Sequence, residues 1–164
     1  MAHTELRRAD RPGDLGWIVK SQGEYYAEAL GWDAGYEAMV AGIVAGFAGL
    51  DPEREAAWIA EADGERAGSV ALVADDVPGT ARLRVLYVDP AVRGLGLGAR
   101  LVGECLDFAR AAGYERVVLW TVDVLASARR IYQAHGFTLE KEEPFHRFGH
   151  DLTGQDWVLE LKRQ

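Results

Sequence analysis

A run of three closely spaced glycines constrains this 164-residue chain more than any other feature. The segment Arg93-Gly94-Leu95-Gly96-Leu97-Gly98 lies between a predicted strand that ends at Val88 and a predicted helix. Glycines let a backbone approach a ligand closely, and the unpaired N–H groups at the start of a helix attract anions. Arg93 adds a forked cation. The loop therefore predicts an anion site suited to a pyrophosphate.

Two other interpretations of the glycine loop stay open at this point. One is a tight turn that binds nothing. The other is a dinucleotide-binding loop, because Gly94, Gly96 and Ala99 satisfy the pattern G-x-G-x-x-G/A. The dinucleotide interpretation is disfavoured, since residues 89–92 separate the loop from its strand and the preceding strands read as antiparallel. The loop lacks Gly-Lys-Ser/Thr, which excludes a P-loop.

The order of predicted elements indicates a single α/β (α+β) domain over residues 1–164. Asp33 is a predicted N-cap of a helix whose apolar residues recur at helical spacing through Phe47, and Asp63-Gly64 is a strong hairpin signal. Strands are predicted at residues 4–8, 56–62, 66–73, 81–88, 117–121, 137–139 and 157–161. Helices are predicted at residues 16–30, 33–47, 97–112 and 125–134. The order β-α-α-β-β-β-α-β-α-β-β favours a mostly antiparallel sheet.

The strand before the glycine loop alternates with period two. Leu83, Val85 and Tyr87 alternate there with a second set of residues. That second set is Arg82, Arg84 and Leu86. The pattern predicts that the two sets lie on opposite faces of the sheet.

Composition and charge limit the possible partners. Lys and Arg number 18 against 26 Asp and Glu, a formal charge of −8, which disfavours nucleic acid. The chain lacks an apolar run of about 20 residues, so no membrane span is expected. Cys105 is the single cysteine, which excludes an internal disulfide, and residues 1–5 do not read as a secretion leader. These features predict a cytoplasmic protein.

Two segments resemble the motifs of the GNAT superfamily of N-acyltransferases. Residues 86–98 resemble its acyl-CoA signature, and residues 128–137, which carry Tyr132 and end in Gly-Phe, resemble its second motif about 30 residues later. The resemblance covers about residues 50–162. It implies a GNAT-like central sheet of about seven strands flanked by helices. It also implies direct transfer of acetyl from acetyl-CoA, as co-substrate, to a primary amine of a small molecule or protein.

A narrower likeness is carried by residues 13–19, 25–28, 31–33 and 148–157. These segments are similar to the acetyltransferase half of bacterial proteins that fuse a MarR-type regulator to a GNAT domain. The likeness implies that this chain is the enzyme half standing alone. Dimers are common in the superfamily, so a homodimer is possible by analogy.

The resemblance also implies roles for particular residues. Backbone groups of the glycine loop would hold the pyrophosphate, Leu86 and Val88 would pair with the pantetheine arm, and the Val88 N–H would stabilise the oxyanion. Tyr132 would protonate the leaving thiolate, although its helical spacing taken alone favours core packing. The implied cofactor-binding residues are Leu86, Val88, Arg93, Gly94, Leu95, Gly96, Leu97, Gly98, Ala99 and Ser127.

The general base and the acceptor are less well defined. Arg82 stands where many GNAT enzymes carry Glu, so either water relays the amine proton or His146 or Glu143 accepts it. That substitution also raises the alternative of a non-catalytic acyl-CoA sensor. His146 and His150 do not form a convincing metal site, so no metal is expected.

Three aromatic residues are candidates for lining the acceptor pocket, with core packing as the alternative. They are Tyr25, Trp32 and Trp120. The acidic composition slightly favours a cationic acceptor.

Overall fold

The computed structural model describes residues 2–161 and contains one seven-stranded sheet in the order β1-β2-β3-β4-β5-β7-β6. Every neighbouring pair is antiparallel except β4 and β5, which are parallel. The strands are β1 (Thr4–Arg8), β2 (Ala56–Ala62), β3 (Glu65–Ala74), β4 (Thr80–Val88), β5 (Arg116–Val122), β6 (Thr138–Arg147) and β7 (His150–Glu160). The helices are α1 (Asp14–Leu30), α2 (Ala34–Ala45), α3 (Leu97–Ala111) and α4 (Ala126–Ala134). The predicted mixed α/β fold and its element order are confirmed.

Apolar cores lie on both faces of the sheet. Leu101, Val102 and Cys105 are fully buried on α3, against Val70 and Leu119 of the sheet. On the opposite face α1 and α2 cover a second core, in which Ile18 and Val40 pack against the strands. Asp33 caps α2 as predicted, accepting the N–H of Gly35. Helices α1 and α3 each direct one buried stripe of residues toward the sheet.

A β-bulge in β4 breaks the predicted alternation. Ser69 pairs with Tyr87 but Ala71 pairs with Arg84, so two residues of β4 oppose one of β3. Val85 takes a positive φ of 51°, and its carbonyl accepts a hydrogen bond from the Ser69 hydroxyl at 2.8 Å. Leu83 therefore packs beneath α3, whereas Val85 and Tyr87 pack on the α1–α2 side. The expected shared face was wrong because a bulge shifts the pleat by one residue.

The sheet opens between β4 and β5. Only Thr80–Arg82 of β4 pairs with residues 116–118 of β5, although the strands continue to Val88 and Val122. Beyond Arg82 the backbone edge of β4 faces a gap rather than another strand. This gap is where the two cavities described below meet.

A buried ion pair fixes the start of α1. The Asp14 carboxylate is fully buried and accepts two hydrogen bonds from Arg7 of β1, at 2.7 and 2.9 Å. Arg66 of β3 donates a third at 2.8 Å. Because its two oxygens are shared by cations on two strands, Asp14 fastens α1 to the sheet.

The last two strands are much longer than predicted. They form a hairpin that turns at Phe148 and Gly149, both with positive φ, as a two-residue hairpin turn requires. Every residue of β6 except Phe145 is exposed. The charged run at residues 140–143 is therefore solvated, as predicted, but lies in a strand, because an edge strand needs no apolar alternation.

Candidate active site

The larger cavity, of about 500 Å³, lies at the open end of the β4–β5 gap. It is bounded by the end of β4, the glycine loop, the start of α4 and part of α1. Of the ten predicted cofactor-binding residues, nine line this cavity. They are Leu86, Val88, Arg93, Gly94, Gly96, Leu97, Gly98, Ala99 and Ser127. The tenth, Leu95, is 44% exposed and lies outside the lining.

The glycine loop presents a row of free backbone N–H groups to this cavity. Gly96 caps α3 with a φ of 75°, and no side chain caps the helix. Within residues 2–161, the six amides from Gly94 to Ala99 have no hydrogen-bond partner. Such amides, at the positive end of a helix dipole, bind anionic oxygens. The Arg93 guanidinium lies beside them, 5.1 Å from the Tyr25 ring centroid.

Gly98 brings α3 and α4 together at the floor of the cavity. A Cβ on Gly98 would lie 2.6 Å from Cδ1 of Ile131 and 3.6 Å from a methyl group of Val88. The close approach needs a residue without a side chain. It brings the loop amides and the end of β4 to one cavity.

The Val88 amide is directed into the β4–β5 gap. Asp89 donates its N–H to the Ala67 carbonyl at 2.8 Å, and Val88 pairs with Gly68. Because hydrogen-bonding directions alternate along an antiparallel strand, the Val88 N–H faces away from β3. The Val88 N–H is therefore oriented to donate a hydrogen bond to a carbonyl group that lies in the gap.

A second, smaller cavity of about 110 Å³ lies on the α1–α2 side and adjoins the first. Both cavities are lined by Tyr26, Leu86, Leu125 and Ala128. The second cavity draws its other residues from α1, α2, β4, β5 and α4. A molecule bound in one cavity would thus meet a molecule bound in the other beside Leu86.

Tyr132 of α4 lines the second cavity. It is 5% exposed, and its hydroxyl has no hydrogen-bond partner in the described part of the chain. Burial raises the pKa of Tyr132 well above its usual range, and Tyr26 and Cys105 nearby raise it further. The phenol therefore stays protonated at neutral pH and is free to donate its proton.

Two arginines of β4 also line the second cavity. Arg82 donates to Asp75 at 3.0 Å, whereas Arg84 has no ion pair or hydrogen bond within residues 2–161. Burial and the Arg82 charge lower the pKa of Arg84, whereas the Asp75 carboxylate, which forms no ion pair with Arg84, acts in the opposite direction. Aspartate, glutamate and histidine are missing from the described lining of both cavities.

The three aromatic candidates for the acceptor pocket lie in different places. Trp120 lines the second cavity, is 37% exposed, and lies over Gly154, where a Cβ would come within 2.8 Å of the indole nitrogen. Tyr25 lines the larger cavity instead. Trp32 is 3% exposed and stacks on Tyr26, away from both described linings.

The candidate bases lie on β6, outside both cavities. His146 is exposed and hydrogen-bonded through Nδ1 to Asp151 at 2.8 Å, in a shallow depression that shares only Val124 with the larger cavity. Glu143 is exposed and paired with Lys141. Among residues 2–161 no group of three or more potential ligands is arranged to hold a metal ion. In the same range no helix has the length and apolar character to cross a membrane.

Sequence reasoning did not assign Gln22, Tyr26 or Tyr36 to the site, although all three line the second cavity. Gln22 is buried and donates to the Val85 carbonyl at 3.3 Å, while its own oxygen accepts from the Tyr36 hydroxyl at 3.2 Å. Tyr26 lines both cavities. The available signal was the position of Gln22 and Tyr26 on the buried stripe of α1, four and eight residues after Ile18.

Comparison with known proteins identifies the family. The model of the Acetyltransferase (GNAT) family matches residues 9–137, which is most of the chain. An uncharacterised N-acetyltransferase of Schizosaccharomyces pombe is 39% identical over 83 residues, 51% of this chain and 50% of that protein. Human N-acetyltransferase 8B is 37% identical over 93 residues, 54% of this chain and 41% of that protein. The chain thus spans half or less of the curated relatives it matches.

The fold is shared with solved structures over nearly the whole chain. A Salmonella typhimurium protein, solved with its cofactor acetyl-CoA, superposes with a TM-score of 0.79 at 22% identity, covering 99% of this chain and 96% of that one. At this identity the likeness concerns the fold alone.

Proposed function

This chain belongs to the acetyltransferase (GNAT) family, and on that premise we propose that it transfers the acetyl group of acetyl-CoA directly to a primary amine. The observation that carries the proposal is that Gly94 and residues 96–99, whose amides are unpaired, line one cavity with the Val88 end of β4. That cavity adjoins a second one lined by Tyr132. The arrangement suits two substrates that meet at one point.

The first cavity suits acetyl-CoA. The loop amides and Arg93 match the charge and geometry of a pyrophosphate. The unpaired edge of β4 near Leu86 and Val88 offers backbone groups to the amide-containing pantetheine arm, as another strand would. The structure of a protein with this fold contains acetyl-CoA, which supports the same ligand here.

The chemistry is a single displacement. The amine nitrogen forms a bond to the thioester carbonyl carbon while the Val88 N–H stabilises the negative charge on the oxygen. The C–S bond then breaks, and Tyr132 donates its proton to the departing thiolate. The phenol is reprotonated from solvent. The Tyr132 phenol is protonated at neutral pH, so it carries the proton that the thiolate needs.

Water is the proposed acceptor of the amine proton. The described linings of both cavities contain neither a carboxylate nor an imidazole, and His146 and Glu143 lie outside them. Water molecules that reach the second cavity beside the partly exposed Trp120 would carry the proton to solvent, so no side-chain base is required. The non-catalytic alternative is not favoured, because the two relatives above are named as N-acetyltransferases.

The predictions about the narrower protein group, the cellular location and the oligomeric state remain proposals. The likeness to MarR–GNAT fusion proteins rests on residues 13–19, 25–28, 31–33 and 148–157. These fall on α1, on the α1–α2 junction and on the β6–β7 hairpin. A cytoplasmic location and a homodimer are likewise retained as predictions.

The test begins with isothermal titration of the purified protein with acetyl-CoA, with NADH as the control ligand. We expect micromolar binding of acetyl-CoA and none of NADH. A panel of primary amines, followed by detection of released thiol and of the N-acetyl product by mass spectrometry, then measures transfer. Failure to bind acetyl-CoA would overturn the proposal, and binding without transfer to any amine would favour the sensor.

A further inference from the structure

The geometry points to Arg84 as the residue that recognises a carboxylate on the acceptor, so that the substrate class is a small amine that also carries an acid group. The inference rests on the proposed acetyl transfer and names the acceptor of that reaction. It is carried by the charge, the burial and the position of Arg84 in the second cavity.

The charge of this cavity is opposite to that of the whole chain. The protein has a formal charge of −8. The described cavity lining nevertheless contains two guanidinium groups, Arg82 and Arg84, and no carboxylate. The electrostatic potential in a cavity depends most on the nearest charges. A cavity lined by two arginines therefore attracts an anionic group even in an acidic protein.

The two arginines differ in whether a carboxylate contacts them directly, since Asp75 acts on Arg84 only from a distance. Arg82 is neutralised by Asp75 at 3.0 Å. Arg84 is partly buried and has neither an ion pair nor a hydrogen bond within the described chain. A guanidinium does not lose its proton at physiological pH, so an unpaired, half-buried one is costly unless a ligand supplies the anion.

The position of Arg84 places this charge beside the proposed reaction centre. Arg84 pairs with Ala71 and Arg82 with Val73, so both face the α1–α2 side of the sheet. Arg84 precedes Val88 by four residues, at most about 14 Å of extended chain. The guanidinium and the Val88 amide therefore suit the two ends of one small molecule.

The chemistry selects a carboxylate over a cationic acceptor. A planar guanidinium donates two parallel hydrogen bonds to a carboxylate, which fixes orientation as well as affinity. An acceptor with a further positive charge besides its amine would instead be repelled by Arg84, and the described lining contains no carboxylate to balance that repulsion. The local charge thus opposes the cationic acceptor that the overall composition favours.

The experiment compares matched ligands that differ only in the acid group. L-amino acids and their primary amides are titrated into protein saturated with CoA, and kcat/KM is measured for the same pairs with acetyl-CoA. The variants are Arg84→Met, Arg84→Lys and, as a control of equal charge change on the exposed surface of α3, Arg110→Met. Thermal melting verifies that each variant is folded.

The wild-type protein is expected to prefer the acid of a matched pair by about 10- to 100-fold, the usual range for hydrogen bonds to a charged group. Arg84→Met should reduce that ratio to within about twofold, Arg84→Lys should give an intermediate value, and Arg110→Met should keep the wild-type ratio. An equal response to acids and amides, or a ratio unchanged in folded Arg84→Met, would overturn the inference.

The result is separable from the proposed acetyl transfer. Transfer to amines without any acid preference refutes the role of Arg84 and leaves the acetyltransferase activity standing. Acid binding that depends on Arg84, without any acetyl transfer, supports the carboxylate site and refutes the activity. Failure of every acid in the panel to bind overturns the inference.

Discussion

The two cavities that meet at the β4–β5 gap differ in the kind of group that would contact a ligand, backbone amides in one and side chains in the other. In the larger one, the proposed contacts to the pyrophosphate are backbone amides of a single loop, residues 94 and 96–99, beside the edge of β4, while α1 and α4 complete the walls. The smaller one is formed by side chains from α1, α2, β4, β5 and α4. Backbone contacts from one loop tolerate side-chain changes in that loop, whereas a cavity lined by side chains from five elements depends on each of those side chains.

Tyr132→Phe is expected to have the largest effect, because it removes one side-chain atom from the assembled cavity. The turnover number kcat should fall by about 10²- to 10⁴-fold, the usual worth of a general acid. The Kd for acetyl-CoA should stay within about twofold of the wild-type value, since the main-chain site is untouched. Steady-state kinetics and isothermal titration measure the two quantities.

A buried tyrosine outside both cavities provides the control for Tyr132→Phe. Tyr114 is 5% exposed and donates its hydroxyl to the Arg54 carbonyl. Tyr114→Phe should lower stability slightly and leave kcat unchanged. An equal loss of kcat in both variants would refute the specific role of Tyr132.

Asp14→Asn tests how far the assembled cavity depends on the anchoring of α1. Removing a buried charge that faces Arg7 and Arg66 should lower the free energy of unfolding by about 3–5 kcal/mol. Burial alone would raise the pKa of Asp14, but hydrogen bonds from Arg7, from the Arg11 amide and from Arg66 hold it well below its usual range. Urea unfolding at several pH values measures the effect.

The pH dependence of the Asp14→Asn effect has a definite sign. Since the folded-state pKa lies below the unfolded value of about 3.9, the stabilisation is complete above pH 5 and disappears as pH falls towards the folded-state pKa. The stability difference between wild type and variant should therefore narrow below about pH 4. Asp10→Asn, at an exposed position nearby, should show neither the loss nor the pH dependence.

Gly96→Ala is expected to have the smallest of the three effects, and it acts on the loop. An added Cβ would meet no atom within 4 Å, so the cost comes only from the left-handed φ of 75°. That strain, about 1–2 kcal/mol, should weaken acetyl-CoA binding by roughly 5- to 30-fold. Isothermal titration with acetyl-CoA measures the change.

Leu95→Ala is the matched change at the neighbouring position of the loop. The Leu95 side chain lies outside the described cavity lining, so the Kd for acetyl-CoA should change by less than about twofold. A larger loss in Leu95→Ala than in Gly96→Ala would show that the loop binds through side chains.

The contrast between the cavities also explains what the sequence predicts well. The element order and the glycine loop are local patterns, and both were predicted, because turn residues and helix starts act over a few neighbours. The loop's ligand contacts stay a prediction. Tyr132 was singled out only through a motif resemblance, since its helical spacing taken alone favours core packing.

The features that were not predicted arise from pairing between distant segments. The bulge at Val85 depends on the register of β3 against β4, which leaves no mark in the alternating sequence of residues 82–87. Gln22 and Arg84 are 62 positions apart and line one cavity only because the fold places α1 beside β4. The extent of β6 was missed because an exposed edge strand carries charges that read as a loop.

The composition of β6 has a consequence for how copies of the protein meet. As the last strand of the sheet, β6 presents one backbone edge without a neighbour. Pro144 lacks an N–H in the middle of that edge, and Glu140 and Glu142 add like charges along it. Another strand would find a missing donor and electrostatic repulsion there, so the sheet resists growth into fibres by edge-to-edge stacking.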